Sequence, residues 1–261
     1  MRVITLLTDF GLEDGYVAAM KGVIAGVAPE ARVVDVTHLV PPQDVAFARF
    51  RLLTVAPFFP PGTIHLVVVD PGVGTARRAV AIQCRSGSCL VGPDNGVLTA
   101  ALEADPPLRA VELTDVRFWR TASPSSTFHG RDLFAPVAAH LARGVPLEVL
   151  GQPLATERLV TLELLPLRTL PSGAEGAVQA VDRFGNLISN VPGALLPDGS
   201  AWRTSIAGRT LPGARTYGEV PPGEGLALVG SHGFVEVAVN RGDARRALGA
   251  GIGDPVQIRW D

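Results

Sequence analysis

The chain has 261 residues, 47% of them hydrophobic and only 18% charged, with a formal net charge of −2. That composition excludes a disordered or fibrous protein, and the charge offers no general attraction to nucleic acid or an anionic membrane. No run approaches the ~18–20 apolar residues of a membrane span, and lysine occurs only at Lys21.

The opening "MRVITLLTDFG" reads as a first strand rather than a signal peptide, because its short apolar run reaches Asp9 without a cleavage-like site. A cytoplasmic location is expected. Further strands are predicted at "ARVVDV", "IHLVVVD", "AVAIQC" and "CLVG". Between them, "DGYVAAMKGVIAGVA" carries apolar residues at helical spacing, and "QDVAFARFRLLTVAPFF" does so until Pro57 stops it. "NGVLTAALEA" and "RDLFAPVAAHLARG" predict two more helices, the second closed by Gly144 as a C-cap. Strands that are apolar on both faces and alternate with helices predict an α/β domain with a mainly parallel sheet covered on both sides.

From about Pro153 the texture changes. "PLATERLVTLELLPLRTLPSG" is a Pro-rich crossing segment. Short runs follow, separated by turn signals: "GAVQAVD", "GNLISNV", "WRTSIAG", "GLALVG", "FVEVAVN" and "DPVQIRW". With helical periodicity confined to "RGDARRALGAG", they predict a small all-β barrel or sandwich. The expected organisation is an α/β domain over 1–152, a linker over 153–175 and a C-terminal β-barrel over 176–261.

Cys84 and Cys89 flank "RSGS", where a hairpin would bring them close, but they form no CxxC and have no neighbouring histidine. They read as strand cysteines without chemistry. The acidic turns are more informative. Ligands of open parallel sheets bind beyond the carboxyl ends of the strands. Asp9 follows the first strand and Asp70 the third, so both are expected to face one crevice. A carboxylate there suits ribose hydroxyls, since it accepts two donors at once. Helix capping by Asp9 or Asp14 is an equally good account. "DPGVGT" lacks the GxxxxGK[ST] and GxGxxG spacings of nucleotide loops, and "GPDNG" reads as a turn with Asp94 or Asn95 as a helix cap. His129 in "TFHGRD" has no HxH, HExxH or DxH context for a metal, Asp132 is expected to cap the following helix, and no GxSxG elbow supports a serine hydrolase.

"TDFGLEDGYVAAMKG", "VVDVTH", "FFPPGTIHLVVVDPGVGTARR", "GPDNG", "TFHGRD", "VDRFGNLISN" and "VGSHGFVEVAVNRGDA" occur in order along almost the whole chain. Together they resemble the S-adenosyl-L-methionine (SAM) hydroxide adenosyltransferases, the SAM hydrolases related to bacterial fluorinase and chlorinase. The resemblance implies an N-terminal α/β domain, a C-terminal β-barrel, and a homotrimer with ligand sites between subunits. It implies displacement of methionine from C5′ of SAM by water, giving adenosine and L-methionine, with no metal or further cofactor.

By the same resemblance, Asp70, Arg77 and His129 match a trio that holds and activates water. Asp9 matches a ribose-binding aspartate. Asp14, Tyr16, Asp182 and Ser231 fall near the methionine portion, and Asn186 with the backbone around Asn240 and Arg241 falls near adenine. His232 stands where the halogenases have arginine, so no contact with the methionine carboxylate is assigned to it. The halogenases have tyrosine at the Asp70 position and lack the histidine of "FHG", which favours water over halide here. A SAM- or adenosine-binding sensor with negligible turnover and a SAM-dependent halogenase are the alternatives. The intact trio counts against the first, and the Asp70 charge, which repels halide, against the second.

Overall fold

The computed structural model describes residues 2–199 and 201–260. The chain divides into two compact units, Met1–Leu162 and Glu163–Asp261.

The first unit is built on β1 (Val3–Thr8), α1 (Tyr16–Val27), β2 (Arg32–Thr37), α2 (Val45–Val55), β3 (Ile64–Val68), β4 (Ala79–Cys84) and β5 (Cys89–Pro93). It continues through α3 (Thr99–Ala104), β6 (Pro107–Glu112), α4 (Ala135–Ala142) and β7 (Gln152–Leu154). The strands form one sheet in the order β2-β1-β3-β5-β4-β6-β7. Only the β2-β1-β3-β5 part is parallel, while β4 runs antiparallel to both β5 and β6, and β6 to β7. The sheet is therefore mixed rather than mainly parallel. The cause is local: the "RSGS" turn between Cys84 and Cys89 is too short for a crossover helix, so β4 and β5 close as a hairpin.

Side chains leave a strand alternately to its two faces. On one face Ile4, Leu6, Leu66 and Val68 pack against Met20 and Ile24 of α1 and Val137 and Leu141 of α4. On the other, Leu7, Val67, Val69 and Leu90 pack against Ala48 and Leu52 of α2 and Leu98 and Ala101 near α3. Both layers are largely apolar, which is why these strands read as hydrophobic runs, interrupted by Thr5 and His65, whose buried side chains hydrogen-bond to each other at 2.9 Å. Burying each such leucine or valine contributes roughly 1.5–3 kcal/mol.

Pro57 ends α2 at Val55 and leaves a short 3-10 turn, Ala56–Phe58. The last helix of the unit starts with a π-helical turn, Gly130–Phe134, directly after His129. It ends at Arg143, followed by Gly144 at φ +88° in the left-handed region. Asp132 does not cap it: the side chain is fully buried and binds arginines, as described below. Nor does Asp94 cap α3; it accepts hydrogen bonds from Arg78 Nε (2.8 Å) and from Val160 N (2.8 Å). Asn95 accepts from Val97 N at 3.2 Å and donates to the Val69 carbonyl at 2.9 Å.

The second unit comprises β8 (Arg168–Leu170), β9 (Gly173–Val181), β10 (Leu187–Pro192), β11 (Trp202–Ile206), β12 (Arg209–Pro212), β13 (Gly225–Val229), β14 (Phe234–Val239), α5 (Ala244–Leu248) and β15 (Pro255–Trp260). Its sheet runs β12-β11-β15-β9-β10-β14-β13, with β8 also on β9, and its strand pairings are antiparallel. The two ends of that order approach each other through a bridge between Gly213 and Ala227. The result is a nearly closed barrel around Val178, Leu187, Val237 and Ile258. Residues 153–175 are not a free connection: β7 takes the first of them into the α/β sheet, while β8 and the start of β9 take the last into the barrel.

Candidate active site

Parallel pairing sets the ends of β1 and β3 level, with Thr8 opposite Val68. Asp9 and Asp70 therefore emerge side by side at the carboxyl edge of the sheet. They line a cleft of about 370 Å³ together with Phe10, Tyr16, Phe128 and His129.

Asp70 opens a tight turn in which Val73 N donates to the Asp70 carbonyl (3.1 Å) and Thr75 N to that of Gly72 (3.2 Å). Gly74 has φ +75°, and a Cβ on it would lie 2.3 Å from the Ser126 carbonyl oxygen, so only glycine fits. The turn returns Arg77 onto Asp70. Arg77 Nε donates to Asp70 Oδ1 (2.9 Å) and Oδ2 (3.1 Å), and Nη2 donates to Oδ2, making a bidentate pair. The guanidinium carbon sits 5.2 Å from the Phe134 ring centre, and both charged side chains are largely buried.

Arg77 Nη2 also lies 2.9 Å from His129 Nδ1. A guanidinium only donates, so Nδ1 must accept, and the neutral imidazole carries its proton on Nε2. Burial pushes the His129 pKa down, and the Arg77 charge pushes it further in the same direction. Protonating His129 would place an N–H at Nδ1 against the N–H of arginine.

His129 is held by a polar anchor. Asp132 accepts from Arg120 Nε (2.5 Å), Arg131 Nε (2.8 Å) and Ser125 N (2.9 Å), which fixes the segment leading into "TFHG". Burial alone would raise the Asp132 pKa, but hydrogen bonds from Arg131, Arg120 and Ser125 hold it well below the usual carboxylate range. Those partners explain why it is not a helix cap.

Asp9 Oδ2 accepts from Gln43 N at 2.8 Å. The N-cap of α1 is Gly15 and receives no side-chain bond, so neither Asp9 nor Asp14 acts as a cap. Asp14 is exposed just before the helix, and Tyr16 is its first residue. Phe10, Tyr16 and Phe128 pack their rings at centroid distances of 5.1–5.7 Å. Phe10 and Phe128 escaped the sequence reading, although "TDFG" and "TFHG" set each beside a residue that it named.

In the barrel unit, Asp182 Oδ1 accepts from Phe184 N and Asn186 N, both at 2.9 Å, and Oδ2 accepts from Asn186 Nδ2 at 3.0 Å. Asn186 faces a cavity of about 590 Å³ that Phe184, Tyr217, Val239 and Arg241 also line. Asn240, next to it in sequence, donates through Nδ2 to the Val220 carbonyl at 2.6 Å. Asp182 and Ser231 do not line this cavity; Ser231 is exposed in the turn between β13 and β14, beside His232.

Cys84 and Cys89 are buried free thiols, and burial pushes the Cys84 thiol up to about 12, which leaves it unreactive. Among the described residues, no group of three or more His, Cys, Asp or Glu is placed to hold a metal ion, and no helix is long and apolar enough to cross a membrane.

Family models for the SAM hydroxide adenosyltransferase N-terminal and C-terminal domains match residues 4–151 and 176–257. The chain belongs to the SAM hydroxide adenosyltransferase family. It is 49% identical to a Thermus thermophilus protein named (R)-S-adenosyl-L-methionine hydrolase, over 99% of this chain and 100% of that one. A fluorinase of an Actinoplanes species is more distant, at 30% identity over 72% of this chain and 71% of the other. Among solved structures, an uncharacterized conserved protein from Thermotoga maritima superposes with a TM-score of 0.91 at 38% identity, covering 98% of this chain and 99% of that one. The family spans both units described above, the cleft in the first and the Asn186 cavity in the second.

Proposed function

We propose that this protein hydrolyses SAM, with water displacing methionine from C5′ to give adenosine and L-methionine. The observation that carries this reading is the bidentate Asp70–Arg77 pair with neutral His129 on the same guanidinium, in one cleft with Asp9.

A sulfonium leaves as a neutral thioether, so the reaction needs no general acid and no Lewis acid. What it lacks is a nucleophile. Arg77 gives one hydrogen bond to Asp70 Oδ1 and two to Oδ2, so Oδ1 keeps an acceptor site at which Asp70 can still take a hydrogen bond from water. The Nε2–H of His129 supplies a donor to fix the oxygen of that water. The water oxygen then bonds to C5′ as the C5′–S bond breaks, with the electron pair remaining on sulfur. The water proton grows acidic as the new bond forms and passes to Asp70. Such general-base assistance is typically worth ~10²–10⁴ in rate. Arg77 holds the carboxylate in place, and the edge-packed Phe10 and Phe128 rings keep one wall of the cleft dry, which favours a step that cancels charge.

Recognition follows the same logic. Gln43 N fixes Asp9 Oδ2, leaving Oδ1 for ribose hydroxyls. Asn186 gives its Nδ2 to Asp182, which leaves its Oδ1 as an acceptor for the exocyclic amine of adenine, in a cavity that Phe184 and Tyr217 also line. Asp14, Tyr16, Asp182 and Ser231 are assigned to the methionine side, and the backbone at Asn240 and Arg241 to adenine. The assembly is read as a homotrimer, each α/β cleft being completed by a neighbour's barrel; an active monomer in solution would overturn that part.

The test is to incubate purified protein with SAM, with and without chloride, and identify the nucleoside. Adenosine and methionine in equal amounts are expected in both. A 5′-chloro-nucleoside would make it a halogenase, and unchanged SAM a binding protein.

A further inference from the structure

A carboxylate that this reaction does not use is buried in the barrel. Glu236 lies on β14 and is 3% exposed, and acidic side chains are rarely buried without partners. Tyr217 donates its hydroxyl to Glu236 Oε1 at 2.5 Å, and His232 Nε2 lies 2.9 Å from Oε2. Phe234 N donates to His232 Nδ1 at 3.2 Å. A ring nitrogen that accepts carries no proton, so the neutral His232 holds its proton on Nε2, facing Glu236. Both ring nitrogens are thereby engaged by β14, which ties the turn between β13 and β14 to that strand. At the other oxygen, burial first and the hydrogen bond to Glu236 second raise the Tyr217 pKa, so the phenol stays a donor. The ring of Tyr217 meanwhile forms part of the wall of the Asn186 cavity.

One buried carboxylate thus joins two surface features: the aromatic wall of that cavity and the turn that carries Ser231. We infer that Glu236 is a positioning residue for the barrel side of the substrate site, setting Tyr217 against the nucleoside and locking His232 within its turn so that Ser231, not the imidazole, faces the ligand. This rests on the reading of the Asn186 cavity as the nucleoside pocket. It also gives His232 a place in the fold: its ring serves the turn.

Glu236→Gln isolates the effect. An amide oxygen can still accept from Tyr217, but its NH₂ then meets the Nε2–H of His232, two donors face to face. The full-length protein should be compared with Glu236→Gln, Tyr217→Phe and Asn186→Ala. The readouts are thermal midpoint, KM and kcat for SAM, and adenosine affinity by calorimetry. Glu236→Gln is expected to raise KM and the adenosine Kd about fivefold to tenfold while kcat stays within about twofold. Tyr217→Phe should raise the adenosine Kd about threefold. A folded Glu236→Gln with wild-type KM and Kd, or one whose only change is in kcat or thermal midpoint, overturns the proposal. If Glu236→Gln does not fold, Tyr217→Phe decides it, and a wild-type adenosine Kd in that variant overturns it. Asn186→Ala separates the two levels. If it too leaves adenosine affinity unchanged, the pocket itself has been misread; if it alone weakens binding, only the role of Glu236 is lost.

Discussion

The cleft of the α/β unit and the cavity of the barrel unit are both polar openings in a largely apolar chain, yet they are assembled differently. In the cleft, Arg77 gathers Asp70 from seven residues away and His129 from 52. The charged groups face one another, and the sheet edge and the anchored Asp132 segment decide the geometry. At the cavity, Asn186 is held by Asp182, four residues before it and outside the lining, and one turn does the work. Its buried charge, Glu236, stands behind the wall rather than in it. The contrast separates two tasks. Moving a proton needs charges held rigidly at one point, which distant segments supply when they converge on a sheet edge. Recognising a base needs single hydrogen bonds and flat surfaces, which a local turn can offer.

If that division is right, the largest effect belongs to the cleft. Asp70→Asn keeps the shape but removes the charge proposed to accept the water proton. Adenosine release from SAM should fall by roughly two to four orders of magnitude. Adenosine affinity should stay near wild type, since that ligand has no sulfonium for Asp70 to attract. Wild-type turnover in this variant would dissolve the distinction between the two sites.

A smaller and opposite signature is expected from Asp9, which lines the same cleft as Asp70 and is proposed to serve recognition. Asp9→Ala removes a charged acceptor, and hydrogen bonds to charged groups contribute about 1.5–3 kcal/mol. Calorimetry should show adenosine binding about tenfold to a hundredfold weaker, with SAM affinity weakened in parallel. Wild-type affinity for both ligands would take Asp9 out of the nucleoside site.

The two sites also differed in how far they could be read from sequence. The apolar runs at β1 and β3 announced strands buried on both faces, and "RSGS" already carried the hairpin that makes the sheet mixed. The general alternation of strands and helices outweighed that local sign in the reading. β6 was missed because Pro107 heads it and Arg109 interrupts its apolar run, and β7 because it is short and contains Pro153. Asp94 and Asp132 looked like caps by position, but each was claimed by arginines, which local propensity does not register. Asp70 was placed at the sheet edge by the strand order, but its grouping with Arg77 and His129 came only through family resemblance. The Asp182–Asn186 turn is local, yet Tyr217 and Glu236 went unremarked because strand and turn residues of those types are common and only their pairing sets them apart.

The smallest effect sharpens the comparison through pH. His129 is neutral because burial and Arg77 both lower its pKa from the ordinary value of about 6.5. A depressed histidine pKa favours the folded, deprotonated state; its contribution is complete above about 6.5 and is lost as pH falls through the lower folded value. At pH 6.5 more than half of the imidazole is still neutral. Moving from pH 8 to 6.5 should therefore change kcat/KM by less than about twofold on account of this residue. The acid limb should begin only below that, and His129→Asn should remove the histidine part of it. In the barrel, Asn186 and Ser231 do not titrate in this range, so adenosine affinity should stay level from pH 8 to 6.5. A limb centred at 6.5 or above would mean that His129 is not held by Arg77 in the working enzyme. The charges of the cleft would then be less tightly coupled than their distances imply, and His129 would become a rival to Asp70 as the base.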